Sequence, residues 1–565
     1  NMFLWEEYLR LHGNPAVQSN DSGNHPSTPY RRDRRNNPLQ QKFGDIAWED
    51  HTGPEGKALS GIYTDRSQTI NDTTMSIKES IEEYNDAAIF IWTRQNGENV
   101  DLMPGAYGTG TEPYRDGNAG IDACKLSDKE RSTVKGLAQL RKQGIIKKFI
   151  ININSNNMLA MEFMKDSQIG PYVDAIIWTG GTGEKGIYVV PKLLSGEYNF
   201  SGSLPVTAFY NNYDIPAVAN LNSGRGTADN LLQQQFYYKD APEVDTSLAS
   251  KRYAYVVYQE GVYVGYRYPE TRYEDAVIGR PNTGDFRYTD TVFATFGTGL
   301  SYTTFSFSNF NVVRDPGTYG DKYTVSVRVT NTGNKPGKKA VQIYVQKPYN
   351  KYCIDNEVEV PAIEFVGFGK TKILQPNESQ VVTVEVDGRY LASYDFMNAK
   401  TWVQVGGTYY FAVGHNAHDA LNNILAKKGY TVADGMDKNG NKDLAWSVNL
   451  PFDDVKYSYA SNTGAKVTNL FDDANWNLYK NKGPETVTYV SRNNWEGTLS
   501  FFEFNPGGEE GTREYYLNSY ATGHVELTWN PKIEEDEFEN FEVEPEDDIP
   551  YPTYNVVYSE DNPYI

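Results

Sequence analysis

Three groups of residues have types and spacings that bear on chemistry. The first lies in Arg94-Gln95-Asn96-Gly97-Glu98-Asn99-Val100-Asp101, where a guanidinium and two carboxyls share one short stretch. A carboxyl can pass protons when burial or a neighbouring charge moves it out of its ordinary range. A lone glutamate in a loop is more often a solvated surface group. The second is Asp437-Lys438-Asn439-Gly440-Asn441-Lys442-Asp443, with oxygen ligands at alternate positions as in a calcium loop. Its glycine is misplaced and its twelfth position is Val448 rather than Glu, so a polar hairpin turn is the better expectation. The third is the pair Cys124 and Cys353, too few for a disulfide scaffold or a thiolate metal cluster. Two free or buried thiols are expected, with one disulfide as the alternative.

The elements around the first group single it out. Ala87-Ala88-Ile89-Phe90-Ile91-Trp92, Lys148-Phe149-Ile150-Ile151-Asn152-Ile153 and Val173-Asp174-Ala175-Ile176-Ile177-Trp178 are apolar runs of strand length. Between the first two, Ser127-Asp128-Lys129-Glu130 reads as a helix start, Ser127 capping and Glu130 closing a capping box, with helical spacing to Leu140. Asn156 to Met164 is expected to form another helix. Continuous apolar strands separated by helices predict a parallel sheet covered on both faces. Ligands of such sheets lie at the carboxyl ends of the strands, which points to the loop after Trp92.

Residues 81–305 are therefore read as an α/β domain. Over 306–415 the period changes to two: Tyr323 to Val329 alternates, Asn331-Thr332-Gly333-Asn334 turns, and strands follow at Ala340–Val345, Val381–Val386 and Tyr409–Val413. That spacing predicts a β-sandwich. It holds no conspicuous titratable cluster, so a structural role is expected. Residues 1–80 are an irregular N-terminal segment, partly belonging to the next domain. Their basic cluster, Tyr30 to Arg35, is expected to be a solvated or salt-bridged loop, with a docking patch as the alternative. Residues 416–565 form an extension with an acidic tail. The fold class is α/β plus all-β.

With 53 basic and 74 acidic side chains, the net charge of −21 argues against a nucleic-acid partner. Residues 532–565 hold twelve acids and one Lys, so about half of that charge belongs to the tail. No run of 18 apolar residues exists to span a bilayer. The start, NMFLWEEYLRL, lacks the cationic flank and apolar core of a signal peptide. A signal removed earlier remains open, because the chain does not begin with Met. So does homo-oligomerisation. The 43 Tyr suit stacking on sugar rings, although most are expected in ordinary core and strand positions.

Four phrases, in order, resemble glycoside hydrolase family 3. Trp178-Thr179-Gly180-Gly181 with Gly186 resembles its Gly-rich stretch. Leu193-Leu194-Ser195-Gly196-Glu197-Tyr198-Asn199-Phe200-Ser201-Gly202-Ser203-Leu204-Pro205-Val206-Thr207 resembles the phrase that follows, with Phe200 where Pro is usual. Glu260 to Tyr268 resembles a third phrase of the family, and Phe296-Gly297-Thr298-Gly299-Leu300-Ser301-Tyr302-Thr303-Thr304-Phe305 resembles the phrase that ends its α/β sandwich domain. Residues 306–415 resemble the fibronectin type III-like domain found after it in many members.

The resemblance implies a retaining exo-β-glycosidase, β-glucosidase-like, acting on an oligosaccharide or β-glucoside. It needs no metal or organic cofactor. Arg94 to Asp101 is similar to the family's acid/base motif. This makes Glu98 the implied acid/base and Asp101 the following Asp, with Arg94 placed to orient Glu98 or to pair at the surface. Asn99 and Leu102 depart from the motif. The family's nucleophile, an Asp, sits on a (β/α)8 barrel, which needs about 250 residues. No region here reads as one. Val467 to Asp472 and Tyr489 to Thr498 resemble the phrases that precede the barrel in members of swapped domain order. The expectation is a swapped-order enzyme whose barrel lies on a second chain or in residues outside this one, the isolated chain being inactive. The alternative is a non-catalytic carbohydrate-binding or scaffold protein. Sequons at Asn20, Asn71, Asn199 and Asn377, with the hydrolase resemblance, suggest an extracellular, secreted setting that degrades polysaccharide.

Overall fold

The computed structural model describes residues 67–70, 73–94, 124–182, 186–219, 236–237, 254–255, 258–317, 320–469 and 487–499. The chain separates into two compact units, Asn1–Phe236 with Val256–Val525, and Tyr237–Tyr255 with Glu526–Ile565. All that follows concerns the first.

Three parallel strands, β1 (Ala88–Thr93), β2 (Phe149–Asn154) and β3 (Ala175–Trp178), form a sheet in that order, with Trp92 opposite Ile153 and Ile153 opposite Trp178. Their apolar continuity has the expected cause: each face is covered. Phe149, Ile151, Ile153 and Trp92 pack with Val134, Ala138 and Leu140 of helix α1 (Asp128–Lys142) and with Phe163. Ile89 and Ile91 meet Ile187, Val190 and Leu194, the last two from α2 (Val189–Leu194). The α1 start is the predicted capping box. Ser127 Oγ accepts from Glu130 N, and Glu130 Oε2 accepts from Ser127 N at 2.9 Å. Arg141 and Lys142 in the last turn complement the helix dipole.

The helix expected over Asn156 to Met164 does not form. Ala160 N donates to Cys124 O at 2.8 Å and Met161 N to Phe209 O at 2.9 Å. Donors committed to distant segments cannot build a helical ladder, and only Glu162–Lys165 turns, as a 3-10 helix.

The sandwich pairs two antiparallel sheets. One is β4 (Phe305–Asp315), β5 (Lys322–Asn331) and β8 (Ser379–Asp387); the other runs β7 (Glu364–Lys370), β6 (Ala340–Gln346), β9 (Gly407–Gly414), β10 (Ala445–Leu450). Alternate residues of β5 (Tyr323, Val325, Val327 and Val329) are almost wholly buried against Val341, Ile343, Val345, Phe411 and Val413. The sandwich extends beyond residue 415, because β10 pairs with β9 and α4 (Ala417–Lys428) packs beside them. In turn α4 joins α3 (Arg267–Val277) of the α/β part in one apolar cluster with Tyr273, Val277, Leu421 and Leu425. Among the described residues, no helix is long and apolar enough to cross a membrane.

Candidate active-site edge

The carboxyl edge of the sheet begins at Arg94, directly after β1. Its side chain is 6% exposed and its fork grips Glu130: Nη1 donates to Oε1 at 2.8 Å and Nη2 to Oε2 at 2.6 Å. Nη2 also donates to Lys125 O at 2.7 Å and Nη1 to Thr93 O at 2.8 Å. The guanidinium lies 5.4 Å from the Trp92 ring centroid. Arg94 is thus a buried, bidentate partner of the α1 capping residue rather than a surface ion. Its bonds tie residues 93–94 to residues 125–130, the two ends of stretch 95–123. Glu98 and Asp101 fall in that stretch, outside the described residues.

At the next strand end, Trp178 Nε1 donates to Ser155 O at 2.7 Å, and Thr179 N and Oγ1 donate to Ile153 O at 2.9 and 3.1 Å. Two glycines make this turn possible. Gly180 has φ +59°, and a Cβ on Gly181 would lie 2.6 Å from Asn156 Oδ1. Near this edge, Trp92 Nε1, Asn152 Nδ2 and Ser155 Oγ are buried without hydrogen-bond partners. Glu162, after β2, accepts from Arg131 at 2.6 Å while its Oε2 is buried and unpartnered. Burial holds its carboxyl above the ordinary range, although Arg131 opposes this. Periodicity had hidden this group inside the expected helix.

The other phrases are structural joints. Leu204 N donates to Thr298 O and Gly297 N to Leu204 O, both at 2.8 Å, so the two phrases pair with each other. Asn199 Oδ1 accepts from Ser301 Oγ and Tyr302 N, and its Nδ2 donates to Pro336 O in the sandwich. This sequon's amide is therefore occupied. Tyr266 stacks on Phe296 at 4.8 Å and its hydroxyl accepts from Phe365 N.

Two buried charge clusters lie at the seam between the domains, and local sequence pattern gave no sign of either. His418 of α4 meets Glu270 Oε2 through Nδ1 at 2.7 Å and Asp437 Oδ2 through Nε2 at 3.0 Å. Burial disfavours its charge, but the two carboxylates outweigh burial and raise its pKa to about 9. Asp437, first residue of the stretch compared with a calcium loop, thus points inward, and Asn441 caps the turn Lys442–Leu444. In the second cluster Arg492 meets Glu274 and Asp275. Burial opposes ionisation of Glu274, but Lys428 and Arg492 bring it to about 2. Within the sandwich, buried Asp321 pairs with Arg314 and Lys456, a titratable group the strand pattern did not suggest. Cys124 and Cys353 are both buried, and no disulfide joins them. No group of three or more metal-ligating side chains occurs among the described residues.

Residues 9–266 match the glycosyl hydrolase family 3 C-terminal domain and residues 339–417 a fibronectin type III-like domain. A beta-glucosidase of Ruminococcus albus is 29% identical over 355 residues, covering 61% of this chain and 28% of that protein. Beta-glucosidase A of Butyrivibrio fibrisolvens is 30% identical over 271 residues, 46% of this chain and 26% of that protein. The solved beta-glucosidase 3B from Thermotoga neapolitana, in complex with alpha-D-glucose, is 28% identical with a TM-score of 0.42, covering 60% of this chain and 37% of that one. The chain spans 28% and 26% of the two curated relatives' lengths.

Proposed function

We propose that this chain, which carries the family 3 C-terminal domain followed by a fibronectin type III-like domain, is the acid/base-bearing half of a retaining exo-β-glycosidase of β-glucosidase type. It acts on terminal β-linked sugars together with a (β/α)8 barrel that carries the Asp nucleophile. The observation that carries this reading is the family match across 9–266, the span of sequence in which Glu98 falls. The beta-glucosidase relatives support the same class.

In this reading two carboxyls about 5–5.5 Å apart flank the anomeric carbon. The barrel Asp attacks that carbon as the glycosidic C–O bond breaks, and protonated Glu98 gives its proton to the departing oxygen. Glu98, now a carboxylate, takes a proton from water. The water oxygen displaces the Asp and releases the sugar with retained configuration. Arg94, locked to Glu130, fixes the end of β1 from which the chain runs on toward Glu98, and Asp101 supports the site. The sugar reactant binds on the barrel side, and the setting is extracellular polysaccharide breakdown.

The test is hydrolysis by the native particle, with any co-purifying chain sequenced. Glu98→Gln is expected to lower turnover of an unactivated β-linked disaccharide by about 10²–10⁴-fold, with a smaller loss on an aryl glucoside whose leaving group needs no proton. The isolated chain is expected to be inactive. Undiminished disaccharide hydrolysis by Glu98→Gln would remove the acid/base assignment.

A further inference from the structure

Residues 487–499 return to the body after a stretch outside the described residues, and they return into a fitted site. Val490 N donates to Gln259 O at 2.7 Å, and Gln259 Nε2 to Thr488 O at 3.0 Å. Ser491 Oγ and Arg492 N both donate to Glu359, at 2.7 and 3.0 Å. Arg492, 2% exposed, donates through Nε to Asp275 at 2.8 Å, through Nη2 to Glu274 at 2.5 Å and through Nη1 to Val360 O at 3.1 Å. Trp495 is fully buried; its ring centroid lies 4.8 Å from that of Tyr263 and 6.0 Å from that of Tyr268, and its Nε1 donates to Asp275 at 2.9 Å.

The receiving surface comes from both domains. Gln259, Tyr263, Tyr268, Glu274 and Asp275 belong to the α/β part, and Glu359 and Val360 to the sandwich. Emptied, it would present three carboxylates beside an indole-sized apolar niche. Lys428 and Arg280 would still face Glu274 and Asp275, but Glu359 would lose its Ser491 and Arg492 donors. Buried charges demand a partner of matching geometry, and a planar fork with a rigid aromatic three residues on supplies it.

We propose that residues 487–499 are a docked anchor, and that the seam between α3 and residues 359–360 is a receptor for a Ser-Arg-x-x-Trp segment that holds by noncovalent contacts alone. This does not depend on the glycosidase reading, and its test needs no turnover.

In the full chain, specific protease sites are inserted between residues 473 and 484 and again after residue 502, and both are cut. The excised segment is expected to co-elute with the body in gel filtration. A labelled synthetic peptide of residues 487–499 is expected to exchange into the site. The same peptide with Arg492→Gln or Trp495→Ala should bind at least about 100-fold more weakly. Because the substitutions are in the peptide, the body stays native throughout. Separation of the wild-type segment from a body of unchanged circular dichroism would overturn the proposal. So would equal binding of the wild-type and substituted peptides.

Discussion

Alkali should loosen the seam between the two domains through one imidazole. His418 lies between Glu270 of α3 and Asp437, each within hydrogen-bond reach. Tyr288 stacks on its ring at 3.9 Å and donates to Glu270, as does Thr295, while Tyr273 and Asn422 donate to Asp437. Burial raises the phenols of Tyr273 and Tyr288, so both stay protonated while His418 titrates. His418 has a folded pKa of about 9 against an ordinary 6.5. A raised cation contributes in full below the unfolded pKa, and the contribution is lost as pH passes through the folded one. The gap corresponds to roughly 3 kcal/mol. Loss of the proton also leaves Glu270 and Asp437 facing each other without a cation. The assay is urea unfolding of wild type and His418→Gln at pH 6 and pH 10, taking the difference between the proteins so that other titrations cancel. The difference should be roughly 3 kcal/mol at pH 6 and below about 1 kcal/mol at pH 10. An equal difference at both pH values would refute the charged-clasp account.

Arg94→Lys loses the fork on Glu130 and should destabilise the α/β part by about 3 kcal/mol; thermal melts of Arg94→Lys, Glu130→Gln and the double variant should show strong coupling. Gly440→Ala puts a Cβ 1.9 Å from Asn422 O, so it should cost about 2 kcal/mol or more by chemical denaturation. Gly186→Ala, whose nearest contact is an ordinary 3.6 Å, should cost much less. Ser127→Ala removes the α1 cap and should cost about 1 kcal/mol, read as faster amide exchange in the first turn of α1.

Much of the fold could be read in the sequence because burial writes itself into hydrophobic pattern. The three apolar runs became β1, β2 and β3, and the period-two runs became β5, β6, β8 and β9, since each pattern reports which faces are covered. The third run starts later than predicted for a local reason. Asp174 accepts from Phe149 N and pairs with Arg141 and Lys148, so its side chain ends the ladder there. The failed helix after β2 shows the opposite limit. Its apolar spacing was real, but its backbone donors belonged to Cys124 and Phe209.

The site divides along the same line. Arg94 stood out by position, yet its partner is 36 residues away, and Glu130 had already been given a complete role as a capping residue. A carboxylate offers about four lone-pair directions, and the capping box uses one of them. Sequence pattern counted Glu130 as satisfied when most of its capacity was still open, and that capacity holds Arg94 at the end of β1. The same reasoning covers Glu270, Glu274 and Asp275. On an exposed helix they would be solvent-facing acids, and nothing in the spacing of α3 says otherwise. Their partners, His418 and Arg492, lie 148 and more than 200 residues further on. A buried acid is therefore recognisable only once its cation is placed. For this chain, a helix carrying Tyr268, Tyr273 and three acids was the nearest available warning, because buried phenols can supply the donors that buried carboxylates need.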